Sequence, residues 1–353
     1  MKWFVVALLI IHFIFESFLL MLNKKHSKKA IPRELRGVYD SERYARWQAY
    51  FSESQNFSLL HKGYNLFVLL MLLIGTFPFL EVKVASWTAK PILQTLYFLG
   101  IYYSIIFVLN IPLEIYKTFS LEARHGFNRR TLKTFIKDSL MNYLLNLVLG
   151  AIIIALANSL YLRFADSLWL FGLLASILVS LVMLLAFAYL NPLFLRMFNK
   201  FTPLEEGSLN RRIEGLASSD GFNLRSISIM DASRRSNKLN AFFTGIGKNK
   251  EVVLFDTLLE KMDDDQVMAV LAHELGHAAN KDTWRLFGQQ ILLVFFSFLA
   301  LGLILANKGV FLAFGLSGIN FAFALVLVLL IGKPLWFFLM QATANNISRQ
   351  LEY

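Results

Sequence analysis

The sequence predicts an all-α polytopic membrane protein with about seven spanning helices and one small cytoplasmic α+β insert. Three observations predict it. The 353 residues are 56% hydrophobic, 15% aromatic and only 17% charged, too apolar for an ordinary soluble chain. Several apolar runs exceed the ~20 residues needed to cross a bilayer. Lys and Arg gather in alternate loops between those runs, the pattern that sets membrane topology.

The first run, about residues 3–22, has spanning length. His12 and Glu16 interrupt it, no small-residue cleavage site follows, and Lys24, Lys25, Lys28 and Lys29 form a stop-transfer cluster. It reads as a retained signal-anchor rather than a cleaved signal peptide. Residues 23–62 are polar and basic. Within them Ser41 to Tyr50 has Tyr44, Trp47 and Phe51 at helical spacing, which predicts an amphipathic helix on the membrane surface or packed on other loops. Further spans are expected at about 63–80, 92–116, 140–162 and 168–194, and, after a polar stretch, at about 286–306 and 319–341. The chain thus divides into a membrane region 1–194, an insert 195–285 and a second membrane region 286–353.

The net charge of +11 would suggest nucleic acid in a soluble domain. Here the cations sit in particular loops: nine Lys or Arg in 23–62, and Lys117, Arg124, Arg129, Arg130, Lys133 and Lys137 in 117–139. The alternate loops hold only Lys83 and Lys90, then Arg163, then Lys308. The charge therefore predicts topology and contact with the lipid bilayer, not nucleic acid, with the N-terminus outside or lumenal and loops one, three and five cytoplasmic. There is no Cys, hence no disulfide and no thiolate ligand. His12, Glu16, Glu114 and Lys333 lie within or near apolar runs and are expected to face an interior cavity or a partner.

In the insert, Glu205 to Ser219 has a helical pattern, and Leu224 to Met230, Lys238 to Thr244 and Glu251 to Phe255 are strand-like. Gly245-Ile246-Gly247-Lys248-Asn249-Lys250 reads as a hairpin turn. It lacks the Gly-Lys-Ser/Thr ending and the following helix of a phosphate loop.

The chemistry concentrates in Val267–His277, which contains His273-Glu274-Leu275-Gly276-His277. On a helix, His273 and His277 share one face a turn apart, the zincin-like spacing for a single Zn2+ ion, and Glu274 lies beside the first ligand as a candidate base. Asp263 and Gln266 have capping-box spacing, and Val267, Val270, Leu271 and Leu275 form an apolar stripe. Gly276 leaves room beside the metal. With only six His, a chance motif of this kind would arise in roughly one such chain in a few hundred. A catalytic zinc usually has three protein ligands, and no third His lies close downstream. Either a distant carboxylate completes the set or the motif is incomplete. Glu352 follows the seventh run, so topology puts it on the motif's side of the membrane.

Several stretches together resemble the type I CaaX prenyl proteases, integral-membrane zinc endopeptidases. They are Phe119–Thr131, Asn191–Phe194, Phe201–Gly207, Asn240–Gly245, Lys250–Leu259, His273–His277 and Ser348–Tyr353. The resemblance covers nearly the whole chain. It implies one Zn2+ held by His273, His277 and Glu352, with Glu274 as the base. It also implies a substrate-side hairpin carrying Asn240, Ala241 and Phe242, and seven helices around a large chamber. The expected partner is a peptide or protein substrate, with or without a prenyl group. Members of the family continue past the third ligand with an Ala-Asp motif, so a chain ending at Tyr353 is expected to be a truncated form. The competing readings are a quality-control metalloprotease of the heat-shock type, a transporter or channel, and an inactive scaffold. A transporter would have no need of His-Glu-x-x-His with a carboxylate on the same side.

Overall fold

With no water to bond backbone groups in hydrocarbon, long apolar runs must form helices. In the computed structural model seven helices among the described residues are long and apolar enough to cross a membrane. The structure describes the chain except residues 32–36, 38–39, 220, 245–249, 281 and 353, and without the side chains of 188, 190–192, 282–283 and 339–352. The helices are α1 (Lys2–Ser27), a continuous run from α2 (Ser41–Met71) through a π-turn (Leu72–Thr76) into α3 (Phe77–Trp87), α4 (Pro91–Tyr116) with a π-turn (Lys117–Glu122), α5 (Leu132–Arg163), and α6 (Leu168–Leu185). After a π-turn (Ala186–Leu190) and α7 (Asn191–Phe198) comes the insert. Then follow α11 (Asp282–Leu305), the short α12 (Lys308–Ala313) and α13 (Phe321–Glu352). One expectation changes here. The amphipathic stretch Ser41 to Tyr50 is the first part of the second membrane helix, capped by the Asp40 carboxylate on Glu42 N at 3.0 Å. Its aromatic face is a stacked ladder of Tyr44, Trp47 and Phe51.

The chain forms two compact units. The first comprises Met1–His125, Tyr143–Gly172 and Ser297–Ala342. Its core is aromatic: Phe77, Phe98, Phe171, Phe311, Phe314 and Phe323 are fully buried. Close helix approach depends on two glycines. A Cβ on Gly172 would lie 3.3 Å from the Phe298 carbonyl oxygen, and one on Gly302 would lie 3.4 Å from that of Leu168. Small residues at such crossings let backbones pack where the hydrophobic effect gives no drive. Of the four ionisable groups expected to seek partners, two find them among the described residues: Glu16 accepts from Lys62 at 2.7 Å and lies 3.6 Å from buried His12. Glu53 binds both Arg124 and His125, the latter at 2.7 Å, and Tyr50 donates to Glu122 at 2.9 Å. That network fixes the end of the π-turned helix.

The second unit comprises Gly126–Asn142, Leu173–Phe296 and Thr343–Tyr353. It holds a four-stranded sheet in the order β1-β2-β4-β3, from β1 (Phe201–Pro203), β2 (Leu224–Met230), β3 (Ala241–Thr244) and β4 (Lys250–Phe255). β2 and β4 run parallel; the outer pairs are antiparallel, with Ala241 opposite Leu254 and Thr244 opposite Glu251. Helix α8 (Ser208–Ser219), the short α9 (Asp256–Lys261) and α10 (Asp264–Ala279) accompany the sheet. Ile213, Ile227, Ala241, Val252, Leu254, Leu258, Val267 and Leu271 form its core. Glu251, nearly buried, is satisfied by Arg196 at 2.8 Å to each oxygen and by the Ser228 hydroxyl at 2.5 Å. A buried carboxylate needs such partners.

Candidate metal centre

Helix α10 is built from its cap inward. Asp263 accepts from Gln266 N at 2.9 Å, and Gln266 accepts from Asp263 N at 3.3 Å, the reciprocal capping box the sequence predicts. Val267, Leu271 and Leu275, at four-residue spacing, are all 0–1% exposed. They lock one face of the helix onto α8, α9 and β3. Fixing that face dictates what the other presents: exposed His273, with His277 one turn on and half-buried.

The two imidazoles converge. Their Nε2 atoms are 3.2 Å apart and the ring centroids 4.6 Å, with planes at 78°. Two nitrogens each ~2.05 Å from one tetrahedral zinc would be about 3.3 Å apart, so the spacing of the pair matches what that ion needs. Glu274 is half-buried on the next position and makes no hydrogen bond or ion pair among the described residues. A Cβ on Gly276 would meet nothing within 4 Å among the described residues. Among the described residues no group of three metal-binding side chains forms. α13 carries the backbone to Glu352, whose side chain lies outside the described part of the chain.

The predicted substrate hairpin is present as β3 and β4, while its turn at 245–249 lies outside the described residues. Asn240 is exposed, and its carbonyl accepts from Phe255 N at 3.1 Å, so its side chain is the part left for a ligand. The Ala241 methyl is in the core, and Phe242 packs edge-on against Phe255 at 6.2 Å. Contacts from these two to a peptide would therefore run through backbone at the edge of β3, which among the described residues pairs only with β4.

One neighbour escaped the sequence reading. Residues 126–130 lie antiparallel to the approach to β3: Asn128 bridges Ser236, Arg129 N donates to Arg235 O at 3.2 Å, and Asn237 N donates to Phe127 O at 3.2 Å. Asn237 Nδ2 also donates to Gly126 O at 2.7 Å, and Lys238 lies over the Phe127 ring. Positive φ at Gly126 turns the chain into this pairing. Nothing local in the sequence signals a contact between segments so far apart.

Comparison with known proteins identifies the assembly. Residues 19–196 match the family described as CAAX prenyl protease N-terminal, five membrane helices, and residues 203–353 match Peptidase family M48. The chain belongs to peptidase family M48. Among its M48 relatives, the CAAX prenyl protease 1 homolog of Oryza sativa is 34% identical over 335 residues, which is 88% of this chain and 75% of that protein. CAAX prenyl protease 1 of Saccharomyces cerevisiae is 34% identical over 282 residues, 76% of this chain and 61% of the relative. The crystal structure of S. mikatae Ste24p superposes with a TM-score of 0.92 at 30% identity, over 100% of this chain and 86% of that one. As an M48 peptidase with seven membrane helices, the chain is an integral-membrane metalloendopeptidase, and zinc is the metal the family implies.

Proposed function

We propose that the chain cleaves peptide bonds near the C-terminus of prenylated CaaX proteins, with Zn2+ held by His273, His277 and Glu352. The observation that carries this reading is the 3.2 Å approach of the two Nε2 atoms on a helix whose opposite face is locked into the core. The names of the relatives support the substrate class. Zinc, when bound, supplies a water of lowered pKa and polarises the scissile carbonyl. Glu274 takes the proton of the attacking water and returns it to the leaving amine. The substrate chain lies extended along the edge of β3, adding a strand whose backbone hydrogen bonds position the scissile bond. Asn240 hydrogen-bonds to that backbone. The alternation of loop charge puts this face on the cytoplasmic side of the membrane and the N-terminus outside or lumenal.

The test uses the full chain reconstituted in vesicles, with a farnesylated CaaX peptide and its unprenylated twin. Expected are cleavage of the farnesylated peptide, loss of cleavage on chelation, and recovery on adding zinc. Preference for unprenylated, misfolded membrane segments would favour quality control instead, and activity unaffected by chelation would overturn the metal assignment.

A further inference from the structure

Where α5 begins and α7 ends, the second unit contains two cavities of about 330 and 200 Å³. They share a wall of Asp138, Phe198, Asn199 and Arg235. Asp138 is 6% exposed and is gripped by Arg235, Nε to Oδ2 at 2.8 Å and Nη2 to Oδ1 at 3.0 Å, while Nη1 donates to Asn199 Oδ1 at 2.9 Å. That pair is satisfied, so Asp138 has little left to offset further positive charge. Arg130 lines the larger cavity, and Lys137, Lys200 and Arg234 line the smaller. None of these four side chains has a carboxylate partner among the described residues. The topology rule asks only that cations be present in a loop; it does not ask them to converge on a cavity.

The surroundings say what kind of anion fits. Ile136 and Leu140 on α5 are 54% and 51% exposed, and Leu193 and Met197 on α7 are 53% and 44% exposed. Bare apolar side chains beside a basic cavity, at the point where a membrane helix begins, describe a headgroup boundary rather than a water-facing ion site. Arg guanidinium forks match phosphate oxygens, and lysines add compact charge. We infer that these cavities bind the phosphate headgroup of an anionic phospholipid. The site uses none of the peptidase residues, so it stands whether or not the substrate assignment holds.

The test places the full chain in phosphatidylcholine nanodiscs with and without a minor fraction of phosphatidylinositol phosphate. Retained lipid is quantified after purification, alongside the melting temperature. The wild type should retain the phosphoinositide and melt higher in its presence. Arg130→Gln with Arg234→Gln should lower retention about tenfold or more, in line with the worth of juxtamembrane cations. Lys137→Gln with Lys200→Gln, at two exposed positions that leave the fold intact, should do the same and decides the matter if the first pair misfolds. Inorganic phosphate should neither displace the lipid nor reproduce the rise in melting temperature. Wild-type retention in the lysine pair would overturn the inference. So would inorganic phosphate giving the full effect, because the site would then take a free anion.

Discussion

Replacing Leu271 by Ala tests how the metal-binding face is held. Leu271 is 0% exposed and packs in the cluster with Val267, Leu258, Ile213 and Ala241. The substitution deletes three carbons, worth about 2.4 kcal/mol at ~0.8 kcal/mol per buried group. A residual void of ~50 Å³ adds about 1.2 kcal/mol, for a total near 3.5 kcal/mol. Because the lost contacts tie α10 to its neighbours, the cost should appear as local opening of that helix. Amide hydrogen exchange across α10 should speed up by roughly two to three orders of magnitude if opening limits exchange. Zinc retention should weaken with it, since His273 and His277 would no longer be held at one spacing. Ala272→Ser, at an exposed position on the same helix, is the control and should change stability by less than about 0.5 kcal/mol. Exchange in Leu271→Ala within a few-fold of wild type would refute the claim that this stripe fixes the site.

Two further outcomes follow from α10. Asp263→Ala removes one half of the capping box and should cost about 1 kcal/mol, seen as faster exchange confined to the first turn. Gly276→Ala meets no steric neighbour among the described residues and should raise helix stability by up to about 1 kcal/mol. Its methyl would stand on the surface beside the two histidines, so peptidase turnover should fall while zinc content stays constant; unchanged turnover would show that no substrate uses that surface.

The membrane helices were legible because hydrocarbon permits little else over 20 apolar residues. α10 was legible because cap, stripe and motif agreed on one helix, and all three are present. Where the sequence misled, two structures satisfied the same pattern. Tyr44, Trp47 and Phe51 make one face of a helix equally well on the membrane surface or at the end of a spanning helix, and only the run from Ser41 to Trp87 decides. β1 was missed because three residues ending in Pro203 carry no alternation to read; Pro is tolerated there because the strand lies at the sheet's edge. The pairing of Asn128 with Ser236 is long-range and leaves no local mark. Glu352 could be proposed from the sequence only by counting membrane crossings and by resemblance, since a candidate ligand so far from His277 has no fixed spacing.

The central claim is that His273 and His277 hold a zinc ion while Glu274 performs the proton transfer. The most direct measurement is zinc content and peptide hydrolysis of Glu274→Gln beside the wild type, in the same membrane preparation. The account predicts about one zinc per chain in both proteins, and hydrolysis lowered about 10²-fold or more in the variant. Wild-type protein without zinc, or a variant that hydrolyses peptide at the wild-type rate, would contradict it.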